Sequence, residues 1–459
     1  MLLSFLILTS CDRAAMQDSG SEPAKLRIPH IEAPAEGPPR TVVWFTVDTL
    51  NQRYLGHDTF DASPHHDLFF EESLHLPATY VTRGITVESL PSIATGTTPR
   101  THRITDRSMR PVGEMPPTVQ EILADEGYAT YGYSANLCVM QERGWTRAVC
   151  VDGTEKAEGL DDQERDQLVL DEFFEDLAAL DADEPAFFWL HLRDPHASYS
   201  PRQPWIDEFY DGPREDRSPI TNGELTAISK DEMPPGIDFA TWLDAVYASQ
   251  VASSDDMFGA VRAALEDAGR WDIVFTGTDH GEELGEHHRF FSHGCSTYDP
   301  VLKTTWAIHA PEVEAARVTT PVSTVDVLPT LLDILDLDPD PVVEGRSLLP
   351  ASGTGELESV PVFFQRTPNT AGVVVDHRKY FLHAPTIVNC TPEDPNQPWL
   401  GPDEGLFDRE ADPGELENLL DDEPPPPEQE VLCTWVTDFD WGDQTPAARK
   451  LVNACELRL

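Results

Sequence analysis

Two short segments carry the residue types of a metal site. In the first, Thr276-Gly277-Thr278-Asp279-His280-Gly281-Glu282-Glu283-Leu284-Gly285-Glu286-His287 follows the apolar run Ile273-Val274-Phe275, so an aspartate and a histidine stand side by side where a buried strand ends. A carboxylate and an imidazole in that place can share one divalent cation, because ligands of open α/β sheets gather beyond the carboxyl ends of the strands. In the second, Thr41-Val42-Val43-Trp44-Phe45-Thr46-Val47 reads as another buried strand and ends on Asp48-Thr49, a second carboxylate in the equivalent position. Asp48, Asp279 and His280 are therefore the expected metal ligands, on two strand ends that converge on one cation.

Further segments extend the pattern along the chain. Leu90-Pro91-Ser92 is followed by Thr95-Gly96 and Pro99-Arg100-Thr101-His102, then by Asp194-Pro195-His196 and, after the Asp279 segment, by Ser292-His293-Gly294 with Tyr298-Asp299. Val325-Asp326-Val327-Leu328-Pro329-Thr330-Leu331-Leu332, Glu344-Gly345-Arg346-Ser347-Leu348 and Leu406-Phe407-Asp408 with Asp412-Pro413-Gly414-Glu415 complete the series. In this order the segments resemble the sulfatase branch of the alkaline phosphatase superfamily over most of the chain.

Hydrolysis of a sulfuric or phosphoric ester needs a nucleophile, a cation to activate it and to neutralise the ester oxygens, and a proton donor for the leaving group. The resemblance implies a residue for each role. Ser89, in Ser89-Leu90-Pro91-Ser92-Ile93, matches the nucleophile position, with Thr86 and Ser92 as nearby hydroxyls. In sulfatases this residue is converted to formylglycine under a signal that includes an arginine; Ile93 stands there, which disfavours conversion and suits an unmodified serine. His196 is expected as proton donor and His293 as the group that holds the transferred anion. His102, Ser134 and Asn136 are expected to line the substrate pocket, which is less cationic than that of arylsulfatases because Ser134 and Asn136 replace a lysine and a histidine. The cation is expected to be calcium by resemblance, or zinc or manganese because His280 contributes nitrogen. A sulfuric ester of a small molecule, glycan or lipid is the expected substrate. The alternatives are phosphodiester or phosphomonoester hydrolysis, phosphoryl transfer, or a catalytically silent relative.

Composition limits the partners. Lys+Arg 32 against Asp+Glu 82 gives a formal net charge of −50, which repels nucleic acid and anionic membranes. The segment Met1 to Cys11 is apolar, too short to span a bilayer, and ends in Leu8-Thr9-Ser10-Cys11, similar to a bacterial lipoprotein signal whose cysteine is lipidated. Membrane association is thus expected only through a lipid anchor on Cys11, with the body in the extracytoplasmic cell envelope. The remaining cysteines, Cys138, Cys150, Cys295, Cys390, Cys433 and Cys455, suit disulfides in that compartment. Cys138 with Cys150 is expected first because the loop is short, and Cys390 is expected to pair with Cys433 or Cys455.

The elements that must position these residues alternate. Helical spacing over 117–126 precedes a strand over 128–133; a helix over 162–180 precedes a strand over 186–192 that leads into Asp194-Pro195-His196; a long helix over about 239–268 precedes the strand before Asp279. The alternation predicts an α/β fold with helices on both faces of the sheet. The resemblance specifies it as alkaline-phosphatase-like, with a mixed, mostly parallel sheet and a smaller C-terminal α+β subdomain. The expected organisation is a lipoprotein signal over 1–11, a disordered tether over 12–38, a catalytic domain over 39–355 and the C-terminal subdomain over 356–459.

Overall fold

The computed structural model describes residues 40–56, 60–104, 115–136, 144–151, 158–214, 220, 239–288, 290–294, 296–366, 370–384, 402–421, 425–438 and 446–459. The expected signal with Cys11, the tether, and Cys138, Cys295 and Cys390 lie outside these residues. Strands β1 (Thr41–Val47), β2 (Leu74–Tyr80), β3 (Ala129–Ser134), β4 (Arg147–Cys150), β5 (Ala186–Leu192), β6 (Ile273–Thr278), β7 (Glu283–Leu284), β8 (Phe290–Ser292), β9 (Lys303–His309), β10 (Ala316–Arg317) and β11 (Val322–Ser323) belong to the first part of the chain. All but β7 and β8 form one sheet in the order β10-β2-β9-β6-β1-β5-β3-β4, with β11 also on β2. β9 runs antiparallel to β2 and β6, while β1, β3, β4, β5 and β6 are mutually parallel.

β1 is the axis of this sheet. Its run of β-branched and aromatic residues is buried throughout, as a strand with helices on both faces must be. Val43, Phe45 and Val47 point into a core closed by the helices Asp162–Ala179 and Phe239–Asp267. Val42 and Trp44 point into the opposite core, closed by the helices Thr86–Thr95, Val119–Asp125 and Val327–Ile334. β5 and β6 flank β1 in register, Val47 beside Leu192 and Thr278, so the three strands end together. No helix among the described residues is long and apolar enough to cross a membrane.

The C-terminal part forms its own antiparallel sheet, β12 (Val362–Arg366), β13 (Thr370–Val375), β14 (Arg378–His383) and β15 (Glu404–Asp408), in sequence order. One face packs under the helices Pro427–Thr437 and Pro446–Glu456; the other meets Tyr80, Val81, Tyr298 and Leu302 of the first part. Here one expectation is corrected. Cys433 pairs with Cys455, not with Cys390, because the two helices lie against each other and bring those Cα atoms to 4.8 Å. Cys150 is disulfide-bonded.

Candidate active site

The chain leaves the sheet at Asp48, whose N–H still reaches Leu192 O at 3.0 Å, and then turns sharply. Thr49 makes the turn at φ 57°, a left-handed conformation that costs a β-branched residue on the order of 1–3 kcal/mol. That turn aims its N–H at Asp279 Oδ1, 3.2 Å away across the β1–β6 edge. His280 N donates to the same oxygen at 2.8 Å, so Asp279 Oδ1 is satisfied, while buried Asp279 Oδ2 has no hydrogen-bond partner. After β6 the loop needs Gly281: its N–H bonds Val301 O at 2.9 Å, and a Cβ there would lie 2.1 Å from Pro300 O.

Two histidines face these carboxylates. His280 Nδ1 lies 2.9 Å from Gly281 O, a carbonyl that can only accept, so Nδ1 carries the proton. Its Nε2 lone pair then points at Asp48 Oδ1 and Asp279 Oδ2, 3.8 and 3.6 Å away. His191, on β5, is the second. Its Nδ1 meets Thr46 Oγ1 at 3.0 Å; that hydroxyl gives its own proton to Leu190 O, so it accepts from His191. His191 Nε2 is left buried, 4.0 Å from Asp48 Oδ2 and without a hydrogen-bond partner.

This donor set fits a divalent cation. Asp48, His191 and Asp279 each offer an atom within 4.8 Å of the others, and His280 Nε2 adds a fourth. Burial, and then the neighbouring Asp279, push the Asp48 carboxyl well above its ordinary range, and burial pushes Asp279 up to about 7. Burial, helped by Arg193, holds His191 down at about 3, and burial holds His280 well below an ordinary imidazole. Two carboxylates and two imidazole lone pairs thus converge at one buried point; the raised carboxyl pKa values show that the cluster favours taking up positive charge, and a divalent cation would supply it.

Around this centre the structure places the other expected residues unequally. His293 lies against His280, ring centroids 4.6 Å apart, and its Nδ1 is 3.2 Å from Glu282 Oε1. Although burial opposes it, Glu282 raises the His293 pKa. His196 stacks edge-on to His293 at 5.3 Å, and its Nδ1 donates to Ala197 O at 2.5 Å. Burial, then Arg193 and His293, keep it well below an ordinary histidine. Asn136 is bonded on both sides: its amide donates to Asp48 Oδ2 and accepts from Arg193 Nη1 at 2.7 Å. His102 is fully buried and bonded to Ser92 Oγ and Ile104 N. Ser134 ends β3, in register with His191.

The hydroxyl nearest the carboxylates belongs to Thr86. Thr86 begins the helix Thr86–Thr95, and its Oγ1 lies 3.3 Å from Asp48 Oδ1 and 3.2 Å from His280 Nε2. Ser89, one turn further on, donates instead to Asp279 O at 2.5 Å. Sequence reasoning passed over His191, Arg193 and Glu282; the available signal for His191 was an imidazole interrupting the otherwise apolar β5 run just before its end. His287 bonds Gly414 O at 3.0 Å and stacks on Tyr298, so it ties the loop to the C-terminal part.

Comparison with known proteins agrees with this architecture. The sequence model of the family described as Sulfatase matches residues 40–337. The chain is 27% identical over 252 residues to "Uncharacterized sulfatase YidJ" of Escherichia coli (strain K12), covering 52% of this chain and 48% of that protein. It is 30% identical over 202 residues to the "Multifunctional alkaline phosphatase superfamily protein PehA" of Trinickia caryophylli, covering 39% and 36%. The matched regions thus span about half or less of these curated relatives. Among solved structures, the phosphonate monoester hydrolase of Silicibacter pomeroyi superposes with a TM-score of 0.65 at 18% identity, covering 83% of this chain and 91% of that one. A protein solved in complex with its substrate D-glucosamine-2-N,6-O-disulfate superposes with a TM-score of 0.66 at 16% identity, covering 87% and 97%. At these identities the two structures show a shared fold.

Proposed function

The chain belongs to the sulfatase family, and from that premise we propose that it is a metal-dependent hydrolase that cleaves an anionic ester by attack of the Thr86 hydroxyl. The observation that carries this reading is the position of Thr86 Oγ1, within 3.3 Å of Asp48 Oδ1 and 3.2 Å of His280 Nε2, two proton acceptors just past the ends of neighbouring strands. The start of the helix Thr86–Thr95 adds partial positive charge at the same point. A divalent cation held by Asp48, Asp279, His280 and His191 would supply Lewis-acid charge that lowers the hydroxyl pKa and neutralises the ester oxygens. His293, whose pKa Glu282 raises against the effect of burial, is the group we assign to protonate the leaving oxygen. His196, neutral and with its Nδ1 proton committed to Ala197 O, offers Nε2 as an acceptor, so the donor role expected of it passes to His293.

The attacking group bears on the ester class. Formylglycine forms by oxidation of a primary alcohol or thiol; the secondary alcohol of Thr86 would give a ketone, so the hydroxyl itself must attack. Direct attack followed by hydrolysis of a threonine ester suits phosphorus, and we favour a phosphoric or phosphonic ester. Arg83, Arg193 and His293 are each paired with a carboxylate, Glu88, Asp162 and Glu282, which leaves little cationic charge among the described residues for a doubly charged group and favours a singly charged ester. A sulfuric ester is the second reading, supported by the family itself. The deciding experiment compares hydrolysis of an aryl phosphodiester, phosphomonoester and sulfate with manganese, zinc or calcium present. Thr86→Ala should lower turnover at least ~1,000-fold, whereas Ser89→Ala should keep most of it. A variant at Ser89 as inactive as one at Thr86, or a two-hydrogen mass loss at Ser89, would return the reading to sulfate chemistry. The Cys433–Cys455 disulfide supports placement outside the cytoplasm. Mass spectrometry of the N-terminal peptide for a diacylglyceryl group tests the anchor at Cys11.

A further inference from the structure

Arg193 follows directly on β5, and its guanidinium is held from behind by one helix. Its backbone N–H donates to Asp166 Oδ1 at 2.6 Å, and its Nε pairs with Asp162 Oδ1 at 2.6 Å, both on the helix Asp162–Ala179. The two Nη atoms then diverge. Nη1 donates to Asn136 Oδ1 at 2.7 Å, and the amide of Asn136 donates in turn to Asp48 Oδ2. Nη2 donates to Ala197 O at 3.1 Å, the same carbonyl that accepts from His196 Nδ1.

We propose that Arg193 is a positioning residue that sets both sides of the site at once, Asp48 through the Asn136 amide and His196 through the Ala197 carbonyl. The proposal rests on the metal-site reading above. Position 136 sits between a guanidinium and a carboxylate, and an amide accepts from the first through its oxygen while its nitrogen donates to the second; aspartate there would oppose Asp48, and an apolar residue would remove both bonds. Position 193 needs a planar fork. A lysine would keep the charge beside Asp162, but a single ammonium on a flexible stem lacks the two fixed, diverging donors. Asp48 is then presented to a cation with one oxygen already bonded and its rotation fixed, the arrangement by which outer groups raise the affinity of a metal ligand.

The test measures Mn2+ binding to the full chain by calorimetry, with circular dichroism and thermal unfolding as controls for folding, on wild type, Asn136→Ala and Arg193→Lys. Both variants should bind Mn2+ roughly 10- to 100-fold more weakly than wild type. With Mn2+ saturating, kcat of Arg193→Lys should fall below that of Asn136→Ala, because only the first also frees His196. Folded variants with wild-type Mn2+ affinity would overturn the proposal while leaving the metal site intact. Failure of wild type to take up Mn2+, Zn2+ or Ca2+ would overturn the metal-site reading and this proposal with it. Should Arg193→Lys not fold, Asn136→Ala, which leaves every ion pair in place, decides by its Mn2+ affinity.

Discussion

Two imidazole nitrogens among four donors set the metal preference. Calcium takes six or more oxygens, and nitrogen suits zinc or manganese. His191 and His280 both present Nε2 toward Asp48 and Asp279, so the purified protein should hold zinc or manganese and bind calcium far more weakly. His191→Ala should weaken zinc by roughly 10-fold or more and calcium little. Elemental analysis and chelator competition measure both; an equal loss for the two metals would remove His191 from the ligand set. Asp48, Asp279 and His280 of the candidate site were legible in the sequence because Asp48 closes one strand segment and the Asp279-His280 pair closes another. His191 was not, because one histidine inside such a run reads as part of it. Thr86 and Ser89 show a second limit. Residues three apart share a helix face, so spacing alone does not tell which hydroxyl reaches the strand ends and which binds a carbonyl one turn away.

The helix Thr86–Thr95 must keep its first residue against the strand ends, and the histidine that fixes it sits at its far end. His102 accepts from Ile104 N at 3.1 Å through Nδ1, so Nε2 carries the proton and donates to Ser92 Oγ at 3.0 Å; Ser92 in turn bonds Glu88 O at 3.0 Å. Burial holds the His102 pKa down at about 3. The unfolded chain protonates this histidine near ~6.5, the folded one does not, so its contribution is fully present above that pH. As pH falls toward 3, folding loses up to about 1.4 kcal/mol per pH unit from this residue. Urea unfolding at pH 7 and pH 4.5 should therefore show a larger loss for wild type than for His102→Gln; parallel losses would mean that His102 is already charged when folded. At this scale much was readable. The strand Ala186–Leu192 and the helices Asp162–Ala179 and Phe239–Asp267 fall where periodicity put them, to within a residue or so. The helix Pro427–Thr437 is hidden from a reading of periodicity because it opens at the end of the proline run 424–427, although proline is at home in a first helical turn, where no intrahelical N–H bond is lost.

A formal charge of −50 acts on every anionic substrate that approaches, whatever the site offers at contact range. Among the described residues, Arg83 pairs with Glu88, Arg193 with Asp162 and His293 with Glu282, so these groups contribute little positive field to offset the rest. Salt shortens the reach of that repulsion, from a Debye length of about 10 Å at 0.1 M to about 3 Å at 1 M. For a singly charged ester, kcat/KM should therefore rise with ionic strength, with kcat nearly constant because the change lies in encounter. An uncharged ester should show no such rise. The same screening relieves repulsion among surface carboxylates, so the thermal midpoint should climb over the same range. The measurement is kcat/KM for the two esters between 0.05 and 1 M sodium chloride, with the metal saturating. A fall for the anionic ester would mean that the cation and its pocket project a positive field past the acidic surface, and that substrate is steered in rather than admitted against repulsion.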